Sequence, residues 1–496
     1  MSSPLDDAKE DKSVIQLENS EVPQTELESL TWCPQAERNL VRKIDLHLLP
    51  MLFLIYIFNY LDRTNIGNAR IAGMADDLQL DGARYNWALS IFFFGYLILQ
   101  GPSNLILAHT KPSLYLPTIM ISWAAISACT AAVQSYKGLL VVRFFLGVVE
   151  AGFFPGAIFL LSSWYTRKEL AKRVCVLYTG SIVSGAFGGL FAYGITNNPA
   201  DARGIAAWRW LFLIEGVSTI AVAVMAMVIL PDFPITTSWL SAEERNIADA
   251  RLARDGHERG RKKAFSLHGL KLALKDWRTY LFILRTYLST CAGTFTYFIP
   301  TLVADLGYTS AVAQAMSSPP YVWAGIFVMT NGFLCDWDQQ RAWHSAVPIT
   351  IAGIGFILLT KVTNDAVKYF ALFLCGAGVW APVPILLSWL SDTMRFPPEK
   401  RAFAIGFVNT LSNLSSVYGS QLYPTSDGPQ YWQGHAANAA FCFGGSEYAF
   451  SRPMSQADGS AAIVILLAQV ALKKWPAPSI GEDEETTTAD EMKEPA

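Results

Sequence analysis

Ionisable side chains stand within or at the ends of apolar segments at two places in this sequence. Asp62 and Arg63 are adjacent in "FNYLDRTNIGNAR", which closes the apolar run that begins at Leu48. Arg143 and Glu150 lie within the apolar segment "VVRFFLGVVEAGFFPG". Ionisable groups in segments that cross a membrane are costly, and they commonly mark the path of a substrate or a proton. These four side chains are therefore candidates for binding and moving a charged cargo.

The spacing of Arg143 and Glu150 places both side chains on one face of a helix. Seven residues make nearly two turns, which separates the two side chains by about 10.5 Å along the helix axis. That separation is too long for a direct salt bridge, and the small Gly147 between them is expected to leave room for a third group. Two interpretations stay open: the charges bind a cargo, or neighbouring helices neutralise them.

Further polar residues in the later segments are candidates for contact with the same cargo. Asn409 and Asn413 are one helical turn apart in "VNTLSNL", so they share a face and would bond either a cargo or another helix. Tyr297 stands three residues before a proline that is expected to kink its helix. Glu215 and Arg285 also lie in apolar blocks, where they would serve either the site or the packing of helix ends.

Transmembrane helices are expected to position these residues. The chain has 496 residues, of which 52% are hydrophobic and 16% charged, whereas about a quarter of residues are charged in soluble domains. Most apolar blocks, with their flanks, reach the roughly 20 residues that a helix needs to cross a bilayer. The blocks are 48–61, 85–107, 114–133, 139–161, 174–195, 208–230, 280–302, 322–334, 346–360, 367–390 and 402–422. The predicted fold class is an all-α polytopic membrane protein.

Charge and apolar blocks divide the chain into five regions. These are a disordered tail at 1–43, an N-terminal six-helix bundle at 44–230, a central loop at 231–278, a C-terminal helix bundle at 279–472 and an acidic tail at 473–496. Ser241 and Glu244 predict a capping box at the start of a helix in the central loop. The last helix is predicted to be irregular, because a polar stretch precedes the short apolar run Ala461–Leu472. Basic residues predict a cytoplasmic N-terminus, central loop and C-terminus.

Enzymatic and ATP-driven functions gain no support from the sequence. There is no GxxxxGK[ST] phosphate-binding loop, and no nucleophile–base constellation lies outside the membrane blocks. The seven cysteines show neither CxxC nor metal-ligand spacing. We therefore expect no enzyme activity and no cofactor, with protons as the coupling ion. The expected partners are a small organic anion and the lipid bilayer, for a monomer without a nucleic-acid partner.

Several motifs together resemble one family of membrane transporters. They are "NYLDRTNIGNARIAGM", "RFFLGVVEAGFFPGAIFLLSSWYTRKELAKR", "WRWLFLIEG", "LPDFP", "FIPTLVADLGYTSAVAQAMSSPPYV" and "QYWQGHAANAAF". In this order, across roughly residues 40–443, they resemble the anion:cation symporter family of the major facilitator superfamily. The resemblance is closest to the fungal branch of allantoate, nicotinate and pantothenate permeases. It implies a major facilitator fold of about 12 transmembrane helices in two six-helix halves, with alternating access and uptake of small organic anions with protons.

The same resemblance implies roles for individual residues. In this branch an Asp-Arg pair that ends the first helix and an Arg/Glu pair in the fourth helix bind the anion and carry protons. Asp62, Arg63, Arg143 and Glu150 match those positions, and Asn409 is similar to an asparagine that contacts cargo in relatives. The loop after the second helix, "NLILAHTKPSLYL", lacks the usual Gly…Asp-Arg…Gly-Arg signature of the superfamily. We therefore expect a different contact to close the inner end of the bundle there.

The function predicted from these residues is import of a small organic anion by proton symport. Arg63 and Arg143 would face a common cavity and bind a carboxylate, since a guanidinium matches its geometry. Asn409, Asn413 and Tyr297 are predicted to be further substrate contacts. The cargo would be a vitamin-like or ureide carboxylate such as nicotinate, allantoate or pantothenate, with a dicarboxylate also open.

Asp62 and Glu150 are the predicted proton-coupling residues. A carboxylate cargo would compete with them for the arginines, so cargo binding would favour their protonation. An inside-negative potential opposes the entry of a monoanion by about 2.3 kcal/mol per 100 mV. One co-transported proton removes that opposition.

Two alternatives from other functional classes stay open. A proton-coupled exporter of the same superfamily would carry a Gly-Pro-type motif in its fifth helix, where "SIVSGAFGGLFAYG" has no proline. A non-transporting nutrient sensor would keep the binding residues and would typically carry a long cytoplasmic extension. The expected location is the plasma membrane, with the vacuolar membrane as the alternative.

Overall fold

Regular structure in the described part of the chain is helical. A computed structural model of the protein describes residues 32–81, 83–107, 110–196, 204–255, 267–394 and 398–450. No strand is present in these ranges. Seven helices are long and apolar enough to cross a membrane, judged by length and composition. The prediction of an all-α polytopic membrane protein is confirmed.

The N-terminal half consists of six helical rods. They are α1 (Pro34–Ala69), α2 (Arg84–Leu107), α3 (Pro112–Cys129), α4 (Tyr136–Glu150) with its continuation α5 (Phe153–Ser162), α6 (Arg167–Thr196) and α7 (Ala207–Ile229). A π-helical turn, Arg70–Met74, extends α1 at its end. Within this half α1 packs against α6, α2 against α4, and α3 against α7.

The C-terminal half repeats this arrangement after a linker that holds two helices. The linker helices are α8 (Ala242–Arg254) and α9 (Leu267–Lys275). The rods that follow are α10 (Trp277–Gly293) with α11 (Ile299–Ala304), α13 (Ser318–Asp338) preceded by the short α12 (Ser310–Met316), α14 (Arg341–Lys361), α15 (Asp365–Trp380) with α16 (Pro382–Thr393), α17 (Pro398–Gly419) and α18 (Trp432–Phe450). Here α10 packs against α17, α13 against α15, and α14 against α18, so the three pairings of the first half recur in order. The structure thus has the two six-helix halves that were predicted.

The helix α1 begins before the boundary that was predicted for it. α1 begins at Pro34, inside the tail predicted at 1–43, because a proline suits the first turn of a helix. The apolar face of this added segment is covered, since Leu40 and Ile44 are fully buried. The predicted kink is present, because a 3-10 turn over Thr294–Phe298 separates α10 from α11. The short apolar run 461–472, which was predicted to complete the last helix, lies outside the described residues.

The space beside Gly147 of α4 is occupied by a neighbouring helix. No room is therefore left between Arg143 and Glu150, contrary to the prediction. A Cβ at this position would overlap the backbone carbonyl of Phe92 on α2. Small residues allow helices to approach this closely in membranes. The glycine therefore serves helix packing, and the expectation that a third group occupies this space was wrong.

The linker helix α8 is docked on the N-terminal half. The predicted capping box is confirmed, since the Ser241 hydroxyl accepts from Glu244 N–H while the Glu244 carboxylate accepts from Ser241 N–H. Lys43 of α1 forms an ion pair with Glu244 at 2.7 Å. Burial raises the pKa of Glu244, but hydrogen bonds from Lys43 and from the Ser241 backbone outweigh it and hold that pKa below its usual range. These contacts attach the linker to α1.

Arg251 of α8 makes a buried ionic contact with the N-terminal half. Its guanidinium is 3.1 Å from the Glu169 carboxylate at the start of α6, and it also donates to the backbone carbonyl of Trp164 at 2.7 Å. The Arg251 residue is 3% exposed. The linker is therefore expected to move together with the N-terminal half.

Replacing Arg251 should release this linker helix. We expect Arg251→Met to destabilise the docked state by about 3 kcal/mol, because Glu169 and the Trp164 carbonyl lose a buried charged partner. Such a change in free energy increases the population of the undocked linker by roughly a hundredfold. The measurement is the rate of thermolysin cleavage within residues 231–276 of the purified protein. Arg245→Met is the matched control, since Arg245 lies on the same helix and forms no ion pair with the described residues. Equal cleavage rates in the two variants would contradict the conclusion that Arg251 holds the linker helix on the N-terminal half.

Candidate functional site

A cavity of about 160 Å³ lies between the two halves. The N-terminal half lines it with Tyr60, Tyr96 and Arg63, among others, and the C-terminal half contributes Tyr297 and Asn409. Cavities of about 150 Å³ hold a ring of the size of benzene. The space therefore fits one small organic molecule.

Hydrogen bonds close this cavity at the end where α1 finishes. Arg70 lies over the Tyr85 ring at 4.3 Å and donates to the Thr301 hydroxyl of the other half at 3.5 Å. The Tyr85 hydroxyl donates to the Tyr297 carbonyl at 3.2 Å. Other bonds between the halves at this end run from Ser310 Oγ to Ile71 O, from Gln314 Nε2 to Asn68 O and from Gln421 Nε2 to Ser90 Oγ. Within the described residues no comparable set joins the halves at the linker end, so the cavity is closed on one side.

Two glycines of α6 allow the halves to meet at the closed end. A Cβ on Gly189 would overlap the backbone carbonyl of Gln314, and a Cβ on Gly185 would overlap the ring of Tyr321. Gly194, further along the same helix, has no atom within 4 Å of such a Cβ. The close contact between the halves is therefore confined to Gly185 and Gly189 of these glycines, and we call this contact the glycine seam.

Arg63 and Glu150 form a buried ion pair at the cavity wall. Arg63 Nε donates to Glu150 Oε1 at 2.8 Å, and its Nη2 donates to the same oxygen. The guanidinium carbon lies 5.0 to 5.1 Å from the ring centres of Tyr60, Phe92 and Tyr96. Arg63 is the only charged side chain among the described residues that line the cavity. A bound carboxylate would therefore meet one positive charge that is already paired with a carboxylate.

Arg143 lies behind this pair and does not line the cavity. It is 1% exposed, lies over the Phe92 ring at 5.2 Å and donates to the Arg63 carbonyl at 3.4 Å. Its Nε and Nη1 have no hydrogen-bond partner among the described residues. The expectation that both arginines face a common cavity was therefore wrong for Arg143, because Phe92 of α2 covers this face of α4. As predicted, Arg143 and Glu150 form no direct ion pair.

Asp62 points away from the cavity into the N-terminal half. Its carboxylate accepts from Trp123 Nε1 at 3.2 Å, from the Ser127 hydroxyl at 2.8 Å and from the Thr219 hydroxyl at 3.0 Å. These donors lie on α3 and α7, and Asp62 does not line the cavity, whereas the next residue, Arg63, does. Asp62 was expected to compete with the cargo for the arginines, and its placement does not agree with that expectation, because its hydrogen-bond partners include no arginine.

The two other ionisable candidates are also away from the cavity. Glu215 of α7 accepts a hydrogen bond from the Asn65 amide of α1. Arg285 of α10 donates to the Ser345 hydroxyl at 2.8 Å. Both side chains are buried. Their contacts join helices within one half, which agrees with a role in packing.

The uncharged candidates lie where they were predicted to lie. Asn409, Asn413 and Tyr297 all line the cavity. The side-chain amide nitrogen of Asn413 donates to the backbone carbonyl of Asn409 at 3.0 Å. The side-chain oxygen of Asn413 is left to accept a hydrogen bond. The two asparagines therefore present their shared helix face to the space between the halves.

Three hydroxyl residues of the cavity wall were not predicted from the sequence. Thr286, Ser289 and Thr290 of α10 face the same space as the asparagines of α17. Their spacing of three and four residues in "TYLST" repeats the spacing that marked Asn409 and Asn413. That polar periodicity within an apolar block is the signal that identifies them.

Comparisons with known proteins agree with this architecture. The family model of the Major Facilitator Superfamily matches residues 52–420. The chain is 37% identical over 409 residues to the MFS-type transporter cnsO of Penicillium expansum, covering 80% of this chain and 79% of that protein. It is 30% identical to the major facilitator-type transporter hxnP of Emericella nidulans, covering 80% of this chain and 81% of that protein.

Solved structures share the fold at low sequence identity. A bacterial homologue of the human lysosomal transporter Spinster, inward-facing and unoccupied, aligns with a TM-score of 0.63 and 16% identity, over 87% of this chain and 98% of that chain. The xylose transporter XylE from E. coli, in a partially occluded inward open conformation, gives a TM-score of 0.61 and 12% identity, over 83% of this chain and 99% of that chain. With two repeated six-helix halves around a central cavity, the chain belongs to the Major Facilitator Superfamily and is a multi-pass membrane transporter, not an enzyme.

Proposed function

We propose that the protein imports a small organic anion by proton symport. The observation that supports this proposal is the Arg63–Glu150 ion pair at the wall of the cavity. A guanidinium is the side chain best suited to a carboxylate, because it offers a planar pair of donors. Its partner Glu150 is a carboxylate that can exchange a proton.

Competition for Arg63 couples the anion to the proton in this proposal. A cargo carboxylate that binds Arg63 takes the place of Glu150 Oε1, and Glu150 Oε2 has no hydrogen-bond partner among the described residues. A buried carboxylate that loses its charged partner is strongly disfavoured, so it takes up a proton. Release of the cargo reverses both steps.

Asp62 and Arg143 take supporting parts in the same mechanism. Asp62 is the second proposed proton carrier, because its hydrogen-bond partners are hydroxyl and indole groups and include no cation. Arg143 supplies a second positive charge directly behind Arg63, and two of its nitrogens have no partner in the part of the chain that the structure describes. Asn409, Asn413 and Tyr297 are the proposed contacts for the remainder of the cargo.

Alternating access would bring the cavity to either side of the membrane. The closed end joins the halves through Arg70 and Thr301, and opening requires these bonds to break. We place the protein in the plasma membrane as a monomer, with cytoplasmic termini, so that the linker end faces the cytoplasm. Basic residues near the linker support this orientation.

Uptake at two pH values tests the proposed function. Radiolabelled nicotinate, allantoate, pantothenate and tartrate would be offered, at external pH 5 and 7.5, to cells that lack their own permeases. We expect uptake of one acid, stimulated at pH 5. Glu150→Gln should lose the acid stimulation, because it cannot exchange a proton. Arg63→Gln should reduce uptake by roughly thirtyfold or more, since removing one partner of a buried charge pair costs about 2–5 kcal/mol.

Glu215→Gln is the matched control for this uptake experiment, because Glu215 is equally buried but lies away from the cavity. It should keep the acid stimulation. Lack of uptake at both pH values by wild-type protein present at the cell surface would contradict import. Proton-driven efflux of the same acids would support an exporter instead, and binding without movement would support a sensor.

The glycine seam gives a separate test of alternating access. Gly189→Ala should disfavour the closed arrangement by about 1–3 kcal/mol, because the added Cβ overlaps the Gln314 carbonyl. The measurement is labelling of a Thr64→Cys reporter in the cavity by an impermeant maleimide added from the closed side, with exposed Cys129 replaced by serine. We expect faster labelling in Gly189→Ala and no change in Gly194→Ala. Equal labelling of both variants would show that this seam does not control access.

A further inference from the structure

The cavity wall of the C-terminal half carries polar residues at matching positions on two packed helices. On α10 they are Thr286, Ser289 and Thr290, and on α17 they are Asn409, Ser412 and Asn413. In both helices the spacing is three and then one residue, which places each set on a single face. Because α10 packs against α17, the six side chains form one continuous surface, which we call the polar stripe.

Part of the polar stripe lacks a hydrogen-bond partner in the described part of the chain. The Ser289 hydroxyl is buried, at 1% exposure for the residue, and has no hydrogen-bond partner among the described residues. A buried polar group without a partner is unfavourable, unless a ligand or water satisfies it. Ser289 therefore points to a bound molecule that carries a hydrogen-bonding group at this place.

The remaining members of the stripe can accept or donate further hydrogen bonds. The hydroxyls of Thr286 and Ser412 donate to carbonyls of their own helices, at 2.7 and 2.6 Å, so their oxygens still accept. The side-chain amide of Asn409 forms no hydrogen bond with the described residues. It offers both donors and an acceptor. The stripe can thus bond hydroxyl groups, which need both kinds of partner.

The opposite wall of the cavity has a different chemistry. The N-terminal half contributes Arg63, the single cation among the described lining residues, beside aromatic rings such as Tyr60 and Phe93 and polar residues such as Asn59 and Ser181. The nearest arginine of the C-terminal half along α10, Arg285, is bonded to Ser345 and does not line the cavity. A second carboxylate on the cargo would therefore meet no cation among the described lining residues.

We propose that the polar stripe recognises hydroxyl groups on the uncharged body of the cargo. The cargo is then a hydroxylated monocarboxylate of about one ring in size, with its carboxylate at Arg63 and its hydroxyls against Ser289 and the asparagines. This inference rests on the proposed function, because it takes Arg63 as the carboxylate site. It adds the chemistry of the rest of the molecule and excludes dicarboxylates.

Four compounds with one carbon ring separate the contributions of charge and hydroxyls. They are quinate, cyclohexanecarboxylate, myo-inositol and cis-1,4-cyclohexanedicarboxylate. Binding to the purified full-length protein in lipid nanodiscs would be measured by isothermal titration calorimetry at pH 7.5, where the carboxyl groups of all these acids are ionised. We expect quinate to bind roughly tenfold or more tightly than cyclohexanecarboxylate, because a site built to bond hydroxyls rejects an analogue that lacks them. Inositol and the dicarboxylate should bind more weakly than quinate.

Variants of the stripe connect this preference to its residues. Ser289→Ala together with Asn413→Leu should weaken quinate binding and leave cyclohexanecarboxylate binding unchanged, so that the preference disappears. Ser415→Ala is the matched control, since Ser415 lies on the same helix and bonds the Ser412 carbonyl but does not line the cavity. It should bind both acids as wild type does.

The outcomes distinguish this inference from the proposed function. Equal binding of quinate and cyclohexanecarboxylate to wild type, with both lost in Arg63→Gln, would overturn the inference and leave anion transport standing. A preference for the dicarboxylate, or an unchanged preference in the stripe variant, would also overturn it. Binding of inositol as tightly as quinate, or no loss of binding in Arg63→Gln, would instead contradict the carboxylate site. Binding of none of the four compounds would overturn the inference, while the uptake experiment decides the proposed function by itself.

Discussion

The ion pair between Arg63 and Glu150 is the constraint on which the rest of the cavity depends. Charges removed from water require close partners, and a pair that loses one member leaves a costly unpaired charge. Here the two members come from α1 and α4, so helix packing must hold them together. The rings of Tyr60, Phe92 and Tyr96 surround the guanidinium and exclude competing water from that side. Burial and the surrounding rings therefore hold the pair together, and in the proposed mechanism a cargo carboxylate replaces Glu150 at Arg63.

Much of the fold could be predicted from the sequence, because apolar blocks of bilayer length have few alternatives to helices. The blocks, the linker and the capping box at Ser241 all correspond to elements of the structure. The start of α1 at Pro34 could not be read from hydropathy. The segment from there to Lys43 is charged, and Lys43 is paired with Glu244 of the linker, which is 201 residues away in sequence.

The site could be predicted as a set of residues but not as a geometry. Asp62, Arg63, Arg143 and Glu150 are all buried, as ionisable residues in apolar blocks must be. The sequence alone does not give the rotation of each helix about its axis, which decides whether a side chain faces the cavity or a neighbour. Asp62 is turned towards three donors on α3 and α7. Arg143 is covered because Gly147 lets α2 approach so closely that Phe92 lies over it.

The two halves divide the tasks of the cavity unequally. Among the described lining residues the single charged side chain, Arg63, belongs to the N-terminal half, whereas those of the C-terminal half are neutral. In the proposed mechanism protonation changes the charge of one half only, and the other half responds through its contacts with the cargo and through the helix contacts at Gly185 and Gly189. A cargo bound to Arg63 and to α17 at the same time would join the halves across the cavity, in the way that Arg70 and Thr301 join them at the closed end. Because both sets of bonds would link the same two halves, loading the cavity and closing its end would be parts of one conformational equilibrium, which a cargo can shift only by binding one arrangement better than the other.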